Sequence, residues 1–327
     1  MVHAARGSSA IAGLGWYVPG RLVDNDTIAG WCDVTTDWIE QRTGVHRRWY
    51  AADDEPTSAL AAHAVRDALD DAGLRPDELA GLVVCTSTPD QPQPATAAFV
   101  LAAIGATGAA AFDVNAACAG FLYGLAAAAA WRRNGPVAVV GADKYSTILN
   151  RRDRRTVSLF GDGAGAVILG PDPDGTAAIN VVAICEPEYV DLVRVPGGGS
   201  ALPLRQADDP LADRFLMDGR AVLEWVEKAL PPAAGKACAE AGVSMDMIDH
   251  FILHQANPRM LALCAQWLEV PPEKVAITAD RYGNIGAASV ALTLAVEARE
   301  GRIKRGDRVL LGAVGGGASA CATVLTW

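Results

Sequence analysis

The seven cysteines, at positions 32, 85, 118, 185, 238, 264 and 321, include no CxxC pair and no zinc-ligand spacing. An odd, scattered set excludes a zinc ribbon and a disulfide framework, and it predicts a reduced, cytoplasmic protein without a metal site. Basic charge is also scarce: 28 Lys and Arg against 38 Asp and Glu give a net charge of −10. That excludes a general nucleic-acid binder, whose footprint would be basic, although local arginine clusters remain able to hold a phosphorylated ligand. Residues 1–20 lack the apolar core of a signal peptide, and the Ala-rich run ending at Trp131 is too short to span a bilayer comfortably. The expectation is a soluble chain with no membrane partner.

Phosphate loops are missing too. FGDGAGAVIL (160–169) is glycine-rich but has neither GxGxxG spacing nor a Walker lysine, so its glycines read as packing, with Asp162 tying the loop down. What is present is a 327-residue chain, 51% hydrophobic and 20% charged. That length predicts two lobes or two fused halves around ample apolar core.

Apolar periodicity predicts helices over 37–42, 58–72, 96–104, 258–268 and 287–300, with one or two more over 217–241, interrupted by Pro231-Pro232. Strands are predicted over 10–18, 81–85, 109–114, 136–141, 160–170, 250–253 and 308–312, with a last strand to 325. The loop 86–94 carries three prolines and cannot be a central strand, and 151–155 reads as a basic surface loop. NGPVAVVGADK (134–144) and RGDRVLLGAVGGG (305–317) share a polar turn, an apolar run and a glycine, a weak sign of two similar halves.

The chain is organised around FDVNAACAGFLYGL (112–125), where an extended run meets small residues, a cysteine and a helical segment. Cys118 therefore falls at a helix N-terminus, where unpaired N–H groups and the helix dipole favour a thiolate. A cysteine in an apolar run is by default an inert small hydrophobe. Two distant polar residues weigh against that here. His254 and Asn284 each stand in a motif, HQANPRM and YGNIGAAS, that follows an apolar run.

The ordered set DWIEQRTGV, DVNAACAGF, FGDGAGAVIL, HQANPRM, YGNIGAAS and a terminal GGG resembles β-ketoacyl-ACP synthase III and its relatives in the thiolase superfamily. The resemblance spans nearly the whole chain. It implies an α/β, five-layered αβαβα thiolase-like fold of two pseudo-symmetric halves, 1–170 carrying the nucleophile and 171–327 carrying His and Asn, usually as a homodimer. It also implies a catalytic set of Cys118, His254 and Asn284, no permanently bound cofactor, and acyl-CoA and malonyl-ACP as substrates. A thiolate takes the acyl group, and a neutral imidazole and an amide donate to the enolate left by decarboxylation. A second oxyanion hole would use backbone N–H groups of Cys118 and, within Gly315–Gly317, Gly316.

By the same resemblance, Trp38, Arg42 and Arg154 meet the adenine and phosphates of coenzyme A. Asn257 and Arg259 stand at the mouth of the pantetheine tunnel, where Arg259 also faces an acidic acyl carrier protein. Gln93 and Leu223 fall at acyl-pocket positions where the family often has phenylalanine. Ile285-Gly286 replaces a small hydroxylated pair, and GGGASAC a tail with an aromatic. These departures imply a reshaped acyl or acceptor pocket. Three readings follow: a condensing enzyme priming fatty acid or polyketide synthesis, an acyltransferase to a hydroxyl or amine, and a non-catalytic partner subunit. The intact Cys118, His254 and Asn284 speak against the last. Cys321 lies where thiolases keep a second cysteine, but its setting reads as packing.

Overall fold

The computed structural model describes residues 9–131, 135–171 and 179–327. Residues 1–8, read for a leader, Asn134 of the polar turn, and 172–178 at the opening of the second half lie outside the described residues.

The strands, in chain order, are β1 (Ser9–Tyr17), β2 (Arg21–Asp24), β3 (Arg47–Tyr50), β4 (Gly81–Cys85), β5 (Ala110–Val114), β6 (Val137–Lys144) and β7 (Asp162–Pro171). They continue with β8 (Val182–Cys185), β9 (Val193–Arg194), β10 (Leu216–Met217), β11 (His250–Leu253), β12 (Arg308–Gly315) and β13 (Ser319–Thr326). Two sheets carry the fold, one ordered β1-β7-β6-β4-β5 and the other β11-β12-β13-β8. Their directions correspond: β4 runs parallel to β6, which is followed by antiparallel β7 and β1, and β11 runs parallel to β12, which is followed by antiparallel β13 and β8. The repeat is therefore visible as topology.

Layering follows from which faces are apolar. Every residue of β4 and β6 is buried, as their near-continuous apolar runs require of strands covered on both faces. Helices Thr57–Ala72 and Thr96–Ile104 cover the outer face of the first sheet, and Gly219–Glu240 and Pro258–Trp267 that of the second. Helices Gly120–Ala130 and Ala288–Arg299 lie between the sheets, in a core shared by Val83, Val139, Ile252 and Leu311. This is the five-layered αβαβα arrangement.

Two local expectations change. Gly219–Glu240 is one helix despite Pro231 and Pro232. Each proline removes a helical hydrogen bond, but Trp225, Val226, Ala229, Leu230, Ala233 and Ala234 are buried on the second sheet and hold the helix together across the break. The basic segment also contains a one-turn helix, Arg154–Val157, capped by the Asp153 carboxylate, which accepts from Arg155 N at 3.1 Å.

Asp162 does tie its loop down. Its carboxylate accepts from Ala51 N at 2.8 Å, Ser146 N at 2.8 Å and Ser146 Oγ at 2.6 Å, joining β7 to two other segments. Burial nevertheless pushes its pKa up to about 6. A carboxyl raised on folding stabilises most below its unfolded pKa and loses that contribution as pH rises through the folded value. Asp162→Ala is expected to cost about 2–3 kcal/mol at pH 7 through the lost bonds, and more at pH 4.5. Urea unfolding at both pH values measures this, and a cost that shrinks on acidification would refute it.

Candidate active site

Cys118 sits in the single 3-10 turn Ala117–Ala119 between β5 and helix Gly120–Ala130. The turn is sharp because Ala117 takes φ +46°, a left-handed conformation costly to any residue with a Cβ. It is held by Ala119 N donating to Ala116 O at 3.1 Å and Ala117 N to Asn115 Oδ1 at 3.2 Å. Gly315, at the end of β12, presses on this turn. A Cβ there would lie 2.8 Å from Ala116 O and 3.1 Å from Cys118 N. One on Gly316 would lie 3.3 Å from Ala117 Cβ, so the terminal glycines let backbone meet backbone at the nucleophile.

The thiol is not poised as the helix position alone suggests. Burial, followed by the Asp143 carboxylate, pushes Cys118 up to about 12. Desolvation outweighs the favourable helix end. The Asp143 carboxylate is fully buried; its Oδ1 accepts from Ser87 N, Thr86 Oγ1, Ser87 Oγ and Thr88 Oγ1 at 2.8–3.2 Å, and its Oδ2 from Ala287 N at 2.8 Å. Burial still raises its pKa to about 6.

His254 follows β11 directly, and its N–H donates to Gly312 O on β12 at 2.8 Å. Gly312 and Gly315 are on the same strand, so His254 is held about 10 Å along β12 from the contact with Cys118, at ~3.3 Å per residue. The imidazole Nδ1 lies 2.7 Å from Ser289 Oγ, and burial lowers its pKa to about 4. It is neutral at physiological pH.

Asn284 is fixed at both ends of its peptide. Its N–H donates to Leu159 O at 2.8 Å, and its carbonyl accepts from Gly161 N at 2.9 Å. Its side-chain Oδ1 accepts from Gly286 N at 2.9 Å, which assigns the amide orientation and leaves the NH2 as the donor end. Ser289 Oγ reaches Gly286 O at 3.0 Å. One run of bonds thus links Asn284, Gly286, Ser289 and His254. Gln255 locks the two loops together: its Nε2 donates to Leu253 O and Ala276 O at 2.9 and 3.0 Å, and its Oε1 accepts from Thr278 N and Ala279 N at 2.8 and 3.1 Å.

A second cluster lies on helices Thr36–Thr43 and Pro258–Trp267, which meet where a Cβ on Gly44 would fall 2.8 Å from Pro258 Cβ. Trp38 and Arg42 share the first helix, and Asn257 caps the second, accepting from Met260 N at 2.9 Å, with exposed Arg259 beyond it. The Arg154 guanidinium lies over the Trp38 ring, 5.2 Å from its centroid, and that of Arg151 over Trp31 at 4.8 Å. Arg154 therefore covers the indole face directly and leaves no gap for a base. Among the described residues, no carboxylate is within ion-pair distance of Arg42, Arg154 or Arg259. The two acyl-pocket positions stand apart from these clusters. Gln93 is exposed in the loop after β4, and Leu223 is half-buried near the start of Gly219–Glu240.

Comparison with known proteins bears directly on this arrangement. The family model described as 3-oxoacyl-[acyl-carrier-protein (ACP)] synthase III matches residues 112–186, and that of its C-terminal part matches 238–327. The chain is 45% identical to the acetoacetyl CoA synthase NphT7 of Streptomyces sp. (strain CL190), over 97% of this chain and 98% of that protein. It is 40% identical to a β-ketoacyl-[acyl-carrier-protein] synthase III of Cereibacter sphaeroides, over 98% and 99%. The priming β-ketosynthase of the R1128 polyketide pathway superposes with a TM-score of 0.91 at 33% identity, covering 99% of this chain and 98% of that one. The chain belongs to the 3-oxoacyl-ACP synthase III family.

As a member of the synthase III family it is a condensing acyltransferase of the thiolase fold. Within this synthase III fold, four residues around the site went unread in the sequence. Gln255 and Ser289 sit inside the quoted motifs but carry no signal of their own, since their role is to bond to loops distant in sequence. Asp143 lies two residues beyond the run, 136–141, that reads as a buried strand. Tyr145 follows it, and its hydroxyl is 4.0 Å from Cys118 Sγ. Cys321 is fully buried on β13, as a packing residue should be. Among the described residues, no group of three His, Cys, Asp or Glu side chains could hold a metal ion, and no helix is long and apolar enough to cross a membrane.

Proposed function

We propose that the chain forms an acyl thioester on Cys118 from an acyl-CoA and condenses it with a malonyl thioester, releasing carbon dioxide and a 3-ketoacyl thioester. The observation that carries this is the run of bonds from Asn284 through Gly286 and Ser289 to His254, which holds an amide and a neutral imidazole in place beside β12, the strand whose end packs on the Cys118 turn. Cys118 Sγ attacks the acyl carbonyl; the C–S bond to coenzyme A breaks, and the thiol proton leaves with it as CoA–SH. The malonyl group then loses carbon dioxide, and its C–C electron pair becomes an enolate.

The enolate oxygen is held by Asn284 and His254. Ser289 has one hydroxyl proton and two acceptors in reach, Nδ1 and Gly286 O; when the proton is given to Nδ1 the bond to Gly286 O opens, the ring proton sits on Nε2, and His254 donates. The carbanion attacks the acyl-Cys carbonyl, whose oxygen is received by backbone N–H groups at Cys118 and Gly316. Cys118 departs as a thiolate and takes up a proton. No resident cofactor is needed for any step.

Trp38, Arg42 and Arg154 hold the adenine and phosphates of coenzyme A, once Arg154 withdraws from the indole face. Asn257 and Arg259 meet pantetheine and an acidic carrier protein, in an acidic chain whose mouth keeps its cations unpaired. The relative named an acetoacetyl CoA synthase supports a second reading, in which the malonyl group also arrives on coenzyme A. Transfer to a hydroxyl or amine is less well supported, because it gives Asn284 no enolate to hold.

The half-buried edge strand β5 and the exposed loop at Gln93 support a homodimer formed along that edge, with Gln93 reaching the partner's acyl pocket and Leu223 lining its own. The halves 1–170 and 171–327 act as one catalytic unit in the cytoplasm.

The test is intact-protein mass spectrometry after incubation with an acyl-CoA, followed by malonyl-CoA or malonyl-ACP. An acyl mass gained and then lost with a 3-ketoacyl product is expected, and native spectra of the same sample should show twice the chain mass. Acylation without malonyl-dependent release would overturn the condensing step.

A further inference from the structure

We propose that Arg48, fully buried and outside the motifs that carry the resemblance, is the positioning residue that holds Asn284 where its amide can donate to the enolate. The inference rests on the enolate role given to Asn284 above and adds the residue that acts through it.

Asn284 belongs to no helix or strand. It stands between the one-turn helix Ala279–Tyr282 and helix Ala288–Arg299, so its place is set by what its peptide bonds to. That is the segment 159–161, reached through Leu159 O and Gly161 N, with Phe160 and Asn284 paired as an isolated parallel bridge. Arg48 holds this segment. Its Nη2 donates to Ser158 O at 2.7 Å, one residue before the carbonyl that receives the Asn284 N–H. Its stem touches both loops: a Cβ on Gly283 would fall 3.1 Å from Arg48 Cβ, and one on Gly161 would fall 3.2 Å from it. Gly283 precedes Asn284 and Gly161 bonds to it, so one side chain fixes the spacing of the two loops. Its chain neighbours grip the residues ahead of Asn284. His46 N donates to Asp280 O at 2.9 Å, and Trp49 Nε1 to Arg281 O at 3.3 Å.

Packing alone does not account for a guanidinium here. Arg48 is 0% exposed, and burial lowers its pKa only to about 10, so it stays a cation at neutral pH. Among the described residues no carboxylate pairs with it, and its Nε has no hydrogen-bond partner. Its remaining bonds go to neutral acceptors. Nη1 donates to Asn25 Oδ1 at 2.8 Å and to Val23 O at 3.4 Å, and Asn25, itself buried, donates to Val45 O at 3.0 Å. A buried ion without a counter-ion is expensive, and an apolar side chain of similar volume often serves stability as well or better. What only arginine offers is a rigid fork. One arm is anchored on Asn25, and the other sets the position of Ser158 O and, through it, of the carbonyl that receives Asn284.

The test is a double-mutant cycle on Arg48→Met and Asn284→Ala, with acetyl-CoA and whichever of malonyl-CoA and malonyl-ACP the wild type condenses. Acylation of Cys118 is followed by intact mass, and condensation by kcat and KM for the malonyl substrate. Arg48→Met keeps much of the stem and none of the bonds. It is expected to lower kcat about 10²-fold, the scale on which a small misplacement of a reacting group acts, with KM and the acylation rate within about threefold. On top of Asn284→Ala the same substitution should cost no more than about threefold further, because the donor it positions is gone. Asn25→Ala, which frees one arm of the fork, should lower kcat alone by about fivefold, and it decides the matter if Arg48→Met does not fold. Equal losses in acylation and condensation, full additivity in the cycle, or an unchanged kcat in Asn25→Ala would overturn the proposal. Asn284→Ala condensing at the wild-type rate would instead overturn the enolate role of Asn284, and the positioning role with it.

Discussion

Cys118→Ala should lose acylation and condensation together, by about 10⁴-fold or more, the scale on which removing a nucleophile acts. The expectation does not rest on an intrinsically acidic thiol. Burial and Asp143 push Cys118 up to about 12 in the free protein, so in the proposed step its proton leaves with the departing CoA–SH. A general thiol reagent should therefore label it slowly, while the proposed acyl-CoA acylation should be fast. Cys118 is 8% exposed and its neighbours along the chain are small, so alanine should change stability by only about 1 kcal/mol. Release of CoA–SH, followed optically and by intact mass, checks this. A persistent acyl adduct in Cys118→Ala would move the nucleophile to another side chain.

His254→Ala should slow malonyl decarboxylation about 10²–10³-fold, the usual loss for one oxyanion donor, and leave acylation of Cys118 within about tenfold. Ser289→Ala keeps the imidazole but frees its tautomer, so a smaller loss is expected, in kcat rather than KM. The pH profile separates donation from simple charge. An imidazole lowered from its ordinary value to about 4 is neutral at every pH above that. Decarboxylation measured in Cys118→Ala should accordingly stay level from pH 8 to pH 5. An acid limb centred near the ordinary histidine value would show that the ring is solvated and would remove the argument for a buried donor.

Much of this was legible in the sequence, for identifiable reasons. β4 is apolar throughout and β6 up to its last two residues because both faces are covered, and Thr57–Ala72 shows its buried stripe and ends at a left-handed Gly73. Cys118, His254 and Asn284 could be singled out because each ends or follows a regular element. Gln255, Ser289 and Asp143 could not, since each acts through bonds to segments far away in the chain. The continuity of Gly219–Glu240 was hidden for the same reason: tertiary burial overrides what two prolines signal locally. The thiolate expected from the helix end failed because local sequence does not report desolvation.

The guanidinium lying on Trp38 carries a calorimetric consequence. An indole face left open to water would contribute to a large negative heat-capacity change when a base covered it. In the coenzyme A site proposed above, that face is already covered before the ligand comes, so adenine would replace one cover with another and displace the arginine into water. The heat-capacity change of coenzyme A binding is then expected to be smaller than the contact area alone would give, and to become more negative when Arg154 is shortened.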